Sequence, residues 1–516
     1  MGIFGNIFKP SAEDLFHEGD YHASQGRFKD AVASYDRSIA INPNILATWA
    51  NRGAALTKIG QFADAVASYD RALALDPKGA PIWFNRGNAF LHAGQYAEAL
   101  ASYDQAVALT PKNDIIWDNR GIALRHLGRQ TESVASYDQA IANNPNDAPA
   151  WYNRGETLID LGRYPEALAS FDKAIAITPN DTRAWGDRGT VLWKLGRHEE
   201  SLASYDRVIA INPNDFRGWL GRGKELTELG RHKEALTAFY KVIAIVPDFA
   251  EGWNNSGIVL IALGRYAEAI ASFDKAIEKK PDYANAWTNR GVALRHLDRD
   301  SEALACYDRA IAIRPNDYNA SHNRGQLLTD LHRYTEAIAL FEKIITISPD
   351  SAEGWYISGL AHLHLGRYTE AVAHFNNAVT RKPDYADAWV NRGAAFYRLG
   401  LFAEAADSEK KAIAITPDDA MAWYNHAQAV RGLGQYAEAL ASYDRVVALR
   451  PDNANAWNNR GAVQVILGQY SEAVESLDKV IALNPDNAAV EMAKCNRELA
   501  LQKIKTDGTN AVTFQD

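Results

Sequence analysis

The sequence predicts an all-α fold, an α-solenoid of about fourteen stacked helix-turn-helix repeats with a further capping helix at the C-terminal end. Three observations predict this fold. A pattern of 34 residues repeats without insertion or deletion from residue 12 to residue 487, although the residues vary between copies. Each copy carries two stretches of apolar residues at helical spacing. A glycine separates the two stretches in most copies, and a proline ends the second stretch.

The prolines set the register of the repeat. They stand 34 residues apart without a break, at Pro43, Pro77, Pro111, Pro145, Pro179, Pro213, Pro247, Pro281, Pro315, Pro349, Pro383, Pro417, Pro451 and Pro485. The predicted copies are therefore residues 12–45, 46–79, 80–113, 114–147, 148–181, 182–215, 216–249, 250–283, 284–317, 318–351, 352–385, 386–419, 420–453 and 454–487.

Residues 46–79 illustrate one copy. Their apolar residues recur at three- and four-residue steps on both sides of Gly60, which predicts two antiparallel helices joined by a tight turn. The small residues Gly53 and Ala65 let these helices approach closely, whereas Trp49 and Tyr69 are too large for one hairpin to cover. A buried tryptophan removes roughly 150–250 Å² of surface from water. Each hairpin is therefore expected to gain most of its stability from its neighbours.

The repeated pattern W-x-N-R-G-x(6)-G-x(4)-A-x(3)-Y-x(2)-A-x(4)-P resembles the tetratricopeptide repeat, especially its bacterial arrays. Tryptophan fills its position in 12 of the 14 copies, and Leu15 and Ser321 are the exceptions. The resemblance implies a right-handed superhelix in which the first helices of the copies line a concave groove. It also implies that the groove holds peptides or protein partners.

An arginine stands directly after the asparagine position of this pattern in ten copies, where the family usually has an apolar residue. A half-buried arginine needs a partner, and an aspartate lies sixteen residues upstream of nine of the ten. The nine pairs are Asp36 with Arg52, Asp70 with Arg86, Asp104 with Arg120, Asp138 with Arg154, Asp172 with Arg188, Asp206 with Arg222, Asp274 with Arg290, Asp308 with Arg324 and Asp444 with Arg460. We predict that they form an ion-pair ladder between successive copies. The alternative is a set of solvated charges.

Four junctions between copies lack this pair. Both partners are replaced together at two of them, where Tyr240 precedes Ser256 and Lys410 precedes His426. The other two junctions break the rule, since Glu342 precedes Ser358 and Asn376 precedes Arg392.

An asparagine recurs at the sixth residue of the copies, which the resemblance places on the groove. We call these ten residues the asparagine ladder: Asn51, Asn85, Asn119, Asn153, Asn255, Asn289, Asn323, Asn391, Asn425 and Asn459. The row is similar to the asparagines in the repeat region of O-linked N-acetylglucosamine transferases. A carboxamide both donates and accepts hydrogen bonds, so it can hold the main chain of an extended peptide. The alternative is that each asparagine tethers a neighbouring helix or loop.

Other groove positions vary between copies, as expected of a ligand surface. Arg125 and Arg295 each begin an R-H pair, and Trp193, Lys194 and Lys224 belong to a basic, aromatic stretch in copies six and seven. We expect these five residues, with the asparagine ladder, to contact a bound peptide. For the R-H pairs the alternative is ordinary solvated surface.

Composition narrows the class of partner. The net charge of −9 argues against nucleic acid as the main ligand. The two cysteines, Cys306 and Cys495, provide neither a disulfide framework nor a metal-ligand cluster. No apolar run approaches 18 residues, so we expect no membrane-spanning helix. The sequence therefore predicts a cytoplasmic protein with protein or extended peptide partners, no membrane partner and no cofactor or metal, and self-association stays open.

The two ends and copy twelve depart from the pattern. Residues 1–11 are predicted to form an N-terminal segment, residues 488–505 a capping helix and residues 506–516 a disordered tail. Glu409 stands where twelve copies have tyrosine or phenylalanine. A buried carboxylate is costly unless it is paired, so we expect Lys410, Lys411 or Arg392 to reach it, or the site to open to water.

No catalytic motif is present in the sequence, which contains no phosphate-binding loop, no G-x-S-x-G and no H-E-x-x-H. The sequence thus predicts a non-enzymatic scaffold that binds extended peptide or protein partners in its groove. Two alternatives stay open. One is a targeting subunit that acts in trans for a glycosyltransferase-like enzyme, and the other is a self-assembling structural module.

Overall fold

The computed structural model describes residues 9–483 and 487–512, and all regular secondary structure in these ranges is helical. The predicted all-α fold is confirmed. The chain divides into two units, on either side of the bond between Leu263 and Gly264, and each unit is described by itself. Residues 1–8 of the predicted N-terminal segment lie outside the described residues.

Each copy contains two helices, and each first helix begins at the first residue of a predicted copy. The first helices are α1 Ala12–Ser24, α3 Leu46–Lys58, α5 Ala80–His92, α7 Asp114–His126, α9 Ala148–Asp160, α11 Thr182–Lys194, α13 Phe216–Glu228, α15 Ala250–Ala262, α17 Ala284–Arg295, α19 Tyr318–Asp330, α21 Ala352–His364, α23 Ala386–Arg398, α25 Ala420–Gly432 and α27 Ala454–Ile466. The second helices are α2 Phe28–Ile41, α4 Phe62–Leu75, α6 Tyr96–Leu109, α8 Gln130–Asn143, α10 Tyr164–Ile177, α12 His198–Ile211, α14 His232–Ile245, α16 Tyr266–Lys279, α18 Asp300–Ile313, α20 Tyr334–Ile347, α22 Tyr368–Arg381, α24 Phe402–Ile415, α26 Tyr436–Leu449 and α28 Tyr470–Leu483.

A last helix, α29, spans Asn487–Val512 and packs against α28 and α27. It continues past Lys505, where the sequence analysis ends the capping helix. No proline interrupts this stretch, and the Thr506 hydroxyl donates to the main-chain carbonyl of Lys503, 2.9 Å away, within the helix. The described helix thus extends beyond the predicted end of the capping helix. Residues 513–516 lie outside the described residues, and the disordered tail stays a prediction.

Within each unit, the hairpins stack so that the first helices form the more closely packed layer. Most successive first helices contact each other directly, for example α9 with α11 and α11 with α13, whereas successive second helices make no comparable contacts among the described residues. The spacing between hairpins is thus smaller on the first-helix side. Within a unit, side chains of neighbouring first helices consequently share one continuous surface.

In most copies a glycine of the first helix lets the hairpin close around an aromatic ring. A Cβ atom placed on Gly53 would lie 2.7 Å from the ring of Tyr69, and one on Gly121 would lie 2.5 Å from the ring of Tyr137. Only a residue without a side chain fits at this distance. Both rings are about 1% exposed, so the close approach predicted from Gly53 and Ala65 is confirmed.

The repeated tryptophans are half-buried rather than fully buried. Trp83 packs against the core of copy two, beside Ala72 and Leu73, as well as against its own copy. Its indole N–H donates to the carbonyl oxygen of Pro77, 3.0 Å away, and the corresponding bond recurs in the other tryptophan-containing copies, as from Trp185 to Pro179 at 2.9 Å. The indole thus fixes the loop that enters its own helix.

The turn inside each hairpin uses a left-handed residue. The turn glycines have φ between 70° and 80°, while Asp298 and His332, which replace glycine in copies nine and ten, have φ of 55° and 60°. Aspartate and histidine tolerate this region better than most residues. The turn therefore keeps the same conformation where glycine is absent.

All nine pairs of the ion-pair ladder are present. In each of them the arginine Nε donates to the aspartate Oδ1 over 2.6–2.8 Å. In the pair between copies five and six, the Arg188 side chain is 19% exposed and that of Asp172 is 51% exposed. The arginine is therefore largely enclosed at the seam, while its partner faces solvent.

Most of these arginines also bind the second helix of their own copy, which the sequence analysis did not foresee. Arg188 donates through Nη1 to the Ser204 hydroxyl at 2.7 Å, and Arg290 makes the equivalent contact to Cys306 Sγ at 3.0 Å. The Arg188 guanidinium also lies 5.6 Å from the centre of the Trp185 ring. One arginine thus joins three elements: its own helix, the helix after it and the last helix of the preceding copy.

The irregular junctions explain what the aspartate does. At Arg392 the upstream residue is Asn376; the arginine Nε has no hydrogen-bond partner, and its bond to Ser408 lengthens to 3.4 Å. Burial lowers the pKa of Arg392. At the junction where Lys410 precedes His426, histidine replaces arginine, and its Nδ1 lies 2.9 Å from the Ser442 hydroxyl. The serine contact thus survives the change of cation.

The expectation that a cation pairs with Glu409 or that its site opens to water is wrong. Glu409 is fully buried, and neither carboxyl oxygen has a hydrogen-bond partner among the described residues. Lys410 binds Glu438 instead, at 3.0 Å, and the Arg392 guanidinium lies over the ring of Phe396. Burial raises the pKa of Glu409 well above its ordinary value of 4.5 and so favours the neutral form of its carboxyl group.

Candidate functional site

The asparagine ladder lies on the first helices, and all ten residues are half-buried. Four of the asparagines donate to a side chain of the preceding first helix: Asn51 to Asp20 at 2.8 Å, Asn153 to Asp118 at 3.0 Å, Asn391 to Tyr356 at 3.3 Å and Asn459 to Tyr424 at 2.9 Å. At these four positions, the geometry favours the tethering alternative.

The remaining asparagines differ in how they are held. Asn119 donates to the carbonyl oxygen of Ile115 in its own helix, at 2.9 Å. The Asn255 side-chain nitrogen is buried and has no hydrogen-bond partner among the described residues. An unsatisfied buried donor is unusual and costs about 1–3 kcal/mol. The Asn255 side-chain oxygen accepts from the Asn254 amide at 3.4 Å, so the amide nitrogen is the group of Asn255 that lacks a role among the described residues.

The two arginines of the R-H pairs bind carboxylates of the next copy. Arg125 contacts Glu156 at 2.7 Å and Asp160 at 2.8 Å. Arg295 makes the equivalent contacts to Asp330 and, at 3.3 Å, to Gln326. Because these guanidinium groups are already engaged within the protein, neither is a free cation for a ligand.

The regular inner surface is interrupted in copies six and seven. Asp187 and Gly221 occupy the asparagine position there, and a Cβ atom on Gly221 would lie 2.3 Å from the ring of Tyr205. The ring of Tyr205 occupies the space that an asparagine side chain would need. It is only half-buried, whereas Tyr137 and Phe171, which hold the same position in neighbouring copies, are at most 1% exposed.

A cavity of about 360 Å³, which we call the first cavity, opens beside Tyr205 between α11, α13 and α15. Its lining residues are Thr190, Trp193, Tyr205, Gly221, Lys224, Glu225, Thr227, Glu228, Phe239, Asn255, Ile258 and Val259. Trp193 is 41% exposed and Ile258 38% exposed. The cavity therefore combines an aromatic and aliphatic wall with a few polar groups, the composition typical of a ligand site.

A second cavity of about 380 Å³ adjoins the first and shares Thr190, Tyr205, Gly221 and Lys224 with it. Arg183, Arg217, Asp187 and Glu156 are among its other lining residues. Together the two cavities form a continuous depression along copies five to eight. The predicted site residues Trp193, Lys224 and Asn255 lie in it, and Lys194 lies beside it with its Nζ 4.6 Å from the centre of the Trp193 ring.

Most charged groups of the depression are paired. Lys224 lies 2.8 Å from Glu251, and Arg183 lies 3.0 Å from Asp181. The Tyr152 hydroxyl donates to Asp187 at 2.8 Å, and burial raises the pKa of Asp187 despite this bond. Arg217, Asp215 and Glu228 have no ion-pair partner within residues 9–483 and 487–512. Asp215 accepts from the main-chain N–H of Arg217 at 3.0 Å, so Arg217 and Glu228 are the charges available to a ligand.

The sequence analysis missed Tyr205 and Glu225 as members of the site. Glu225 stands where the other copies have alanine, threonine, valine, leucine or tyrosine. It is 1% exposed, accepts from the Ser201 hydroxyl at 2.8 Å and lies 3.0 Å from His198 Nδ1. Two signals in the sequence pointed here: this carboxylate at an apolar position, and the loss of side chains at Gly186, Gly218 and Gly221.

Family comparison decides what these hairpins are. One tetratricopeptide repeat model matches residues 50–114, 119–182, 254–318, 322–385 and 356–420. Two further tetratricopeptide repeat models match residues 428–495 and 158–225. The chain belongs to the tetratricopeptide repeat family. It is an all-α tetratricopeptide repeat solenoid, the kind of scaffold on which proteins of this family bind other proteins.

Three solved structures are similar to the chain. YrrB, a TPR protein with an unusual peptide-binding site, is 27% identical over 36% of this chain and 95% of its own, with a TM-score of 0.33. A tetratricopeptide repeat protein from Parabacteroides merdae is 20% identical over 48% and 97%, with a TM-score of 0.39. The Cut9–Hcn1 hetero-tetramer of the APC/C is 15% identical over 88% and 96%, with a TM-score of 0.38.

No curated protein matches the sequence significantly. Within residues 9–483 and 487–512, the helices are too short or too polar to cross a membrane. The same residues hold no cluster of three or more histidine, cysteine, aspartate or glutamate side chains arranged for a metal ion.

Proposed function

We propose that this tetratricopeptide repeat chain is a non-enzymatic scaffold that binds an extended peptide segment of a partner protein across its first helices. The principal contact lies in the depression of copies five to eight. One observation carries the proposal: the two cavities adjoin each other where Asp187 and Gly221 interrupt the asparagine ladder. The peptide lies along this surface, with one of its side chains in the first cavity.

Exposed aromatic surface supports this location. Trp193 is 41% exposed on the wall of the cavity, and Tyr205 is less covered than its counterparts in other copies. Tryptophan and tyrosine dominate the binding energy of many interfaces because they bury large areas with few rotatable bonds. A peptide that covers these rings removes them from water without a rearrangement of the helices.

The asparagine ladder takes a narrower part in this proposal than in the sequence analysis. Asn255 donates to a main-chain carbonyl of the peptide because its amide nitrogen has no other partner. Asn85 and Asn323 also lack side-chain hydrogen bonds among the described residues, and they can serve the same purpose elsewhere on the surface. Arg125 and Arg295 take no part, since they hold Glu156 and Asp330.

The variant Gly221→Asn tests the proposal because it restores the asparagine of the other copies and fills the first cavity without removing a lining side chain. Tyr205 then returns to the position that Tyr137 holds beside Asn153. Peptides selected by display against the wild-type chain are expected to bind Gly221→Asn at least tenfold more weakly in calorimetry.

Ile115→Asn is the matched control, since it introduces the same residue type at an exposed position of a first helix that lines neither cavity. This variant is expected to retain the wild-type affinity. Circular dichroism melts of both variants establish that each is folded. Equal affinity of the selected peptides for Gly221→Asn and wild type would overturn the proposed location.

A further inference from the structure

The first cavity presents aromatic faces and aliphatic surface on one side. Trp193, Tyr205 and Phe239 form its aromatic part, and Ile258 of α15 belongs to its aliphatic part. The Lys194 ammonium group already lies 4.6 Å from the centre of the Trp193 ring. The ring therefore stands in a position where a cation can reach it, and tryptophan is the most favourable partner for such a contact.

The charge at the cavity is negative. Three charged side chains line it, and the cation among them, Lys224, is held by Glu251 at 2.8 Å. The Lys194 ammonium group lies outside the lining, over the ring of Trp193, and a bound arginine has to displace it from that ring. Glu225 is satisfied at the base by Ser201 and His198. Glu228 is exposed at the end of α13 and has no ion-pair partner among the described residues. An acidic side chain would meet these carboxylates, whereas a basic one would be attracted to them.

Arginine matches this combination more closely than lysine does. Its planar guanidinium group stacks on an aromatic face and donates in the same plane to a carboxylate. Its three methylene groups cover apolar surface on the way to that position. The ammonium group of lysine is more strongly hydrated and cannot stack.

We propose that the first cavity binds an arginine side chain of the partner peptide, stacked against Trp193 and directed toward Glu228. The peptide main chain beside this arginine accepts a hydrogen bond from Asn255. This inference rests on the proposed function, since it names the chemistry of the residue that anchors the peptide. It adds that the partner segment is basic, which the net charge of the whole chain does not by itself indicate.

The experiment begins with peptides selected by display against the wild-type chain, with counter-selection against Gly221→Asn. Each selected peptide is then synthesised with its anchor residue as arginine, citrulline or norleucine. Citrulline keeps the shape of arginine without its charge. Arginine is expected to bind at least tenfold more tightly than citrulline or norleucine in calorimetry.

A change on the protein side tests the same contact. Glu228→Gln is expected to weaken the arginine peptide about threefold to tenfold and to leave the citrulline peptide unchanged. Glu199→Gln is the matched control, since Glu199 is exposed on α12 and does not line the cavity. It is expected to change neither affinity.

The outcomes separate the two proposals. Selected peptides that lose affinity on Gly221→Asn but carry an apolar or acidic anchor would overturn the arginine preference and leave the peptide site standing. Equal binding of the arginine and citrulline peptides would do the same. Peptides that bind Gly221→Asn as well as wild type would overturn both proposals.

Discussion

Replacement of Glu409 by phenylalanine is expected to stabilise helices α23 to α26 by about 3 kcal/mol. In the wild type, burial of a carboxyl group without a hydrogen-bond partner among the described residues costs about 1–3 kcal/mol. The change removes this cost. It also buries an aromatic ring, which contributes about 1.5–3 kcal/mol. The space suits a ring. Gly393 faces Glu409, just as Gly359 faces the ring of Phe375 in the preceding copy. Amide hydrogen exchange of these helices measures the free energy of their opening.

The pH dependence of the wild type gives this prediction a second readout. The pKa of Glu409 is raised above its ordinary value of 4.5 by burial, so the native chain retains a proton that the unfolded chain releases. The free energy of unfolding therefore falls as pH rises from about 4.5 to the raised pKa. Glu409→Gln, which has the same shape without the titrating group, is expected to lack this fall. An identical pH profile for the two chains, or no gain in stability for Glu409→Phe, would contradict the burial of a neutral carboxyl group.

Charge reversal at Asp172 and Arg188 is the second prediction. Arg188→Asp is expected to cost about 2–4 kcal/mol, because it abolishes the ion pair, the bond to Ser204 and the contact with Trp185. Asp172→Arg removes the ion pair and places a second cation beside Arg188, at an exposed position where the expected cost is about 1 kcal/mol. The double variant is expected to recover about 1 kcal/mol relative to the sum of the single changes. Recovery stays partial because aspartate at position 188 does not reach Ser204.

The measurement is a double-mutant cycle on the free energy of unfolding of copies five and six. The control combines Asp138→Arg with Arg188→Asp, since Asp138 pairs with Arg154 instead. This unmatched double variant is expected to be additive. Additivity in the matched pair as well would refute an energetic coupling between successive copies.

The arrangement of the helices follows from the sequence because the repeat leaves little freedom. A proline every 34 residues and a turn glycine fix where helices end, and a spacing of sixteen residues places an aspartate beside an arginine in nine junctions. The second contact of these arginines escaped notice because serine is common in helices and gives no signal by itself. The bond from each indole to a proline carbonyl also escaped notice, because its acceptor is a main-chain carbonyl group, which every residue carries.

The binding surface was harder to predict, since it depends on side chains that are missing. Arg125 and Asn153 have the residue types of ligand contacts, yet each is held by a carboxylate of an adjacent copy. Only the position of every neighbouring group distinguishes these cases. Gly221 produces the first cavity by leaving Tyr205 uncovered, and the sequence shows this glycine without showing which ring lies beside it.

The most direct test of the proposed site is hydrogen exchange of the wild-type chain with and without a display-selected peptide. Amides of α11, α13 and α15 are expected to exchange more slowly in the complex, while those of α3 to α6 remain unchanged. Gly221→Asn is expected to lose this protection at the same peptide concentration. Protection confined to the second helices, or spread over all copies alike, would contradict a peptide site at Tyr205 and Trp193.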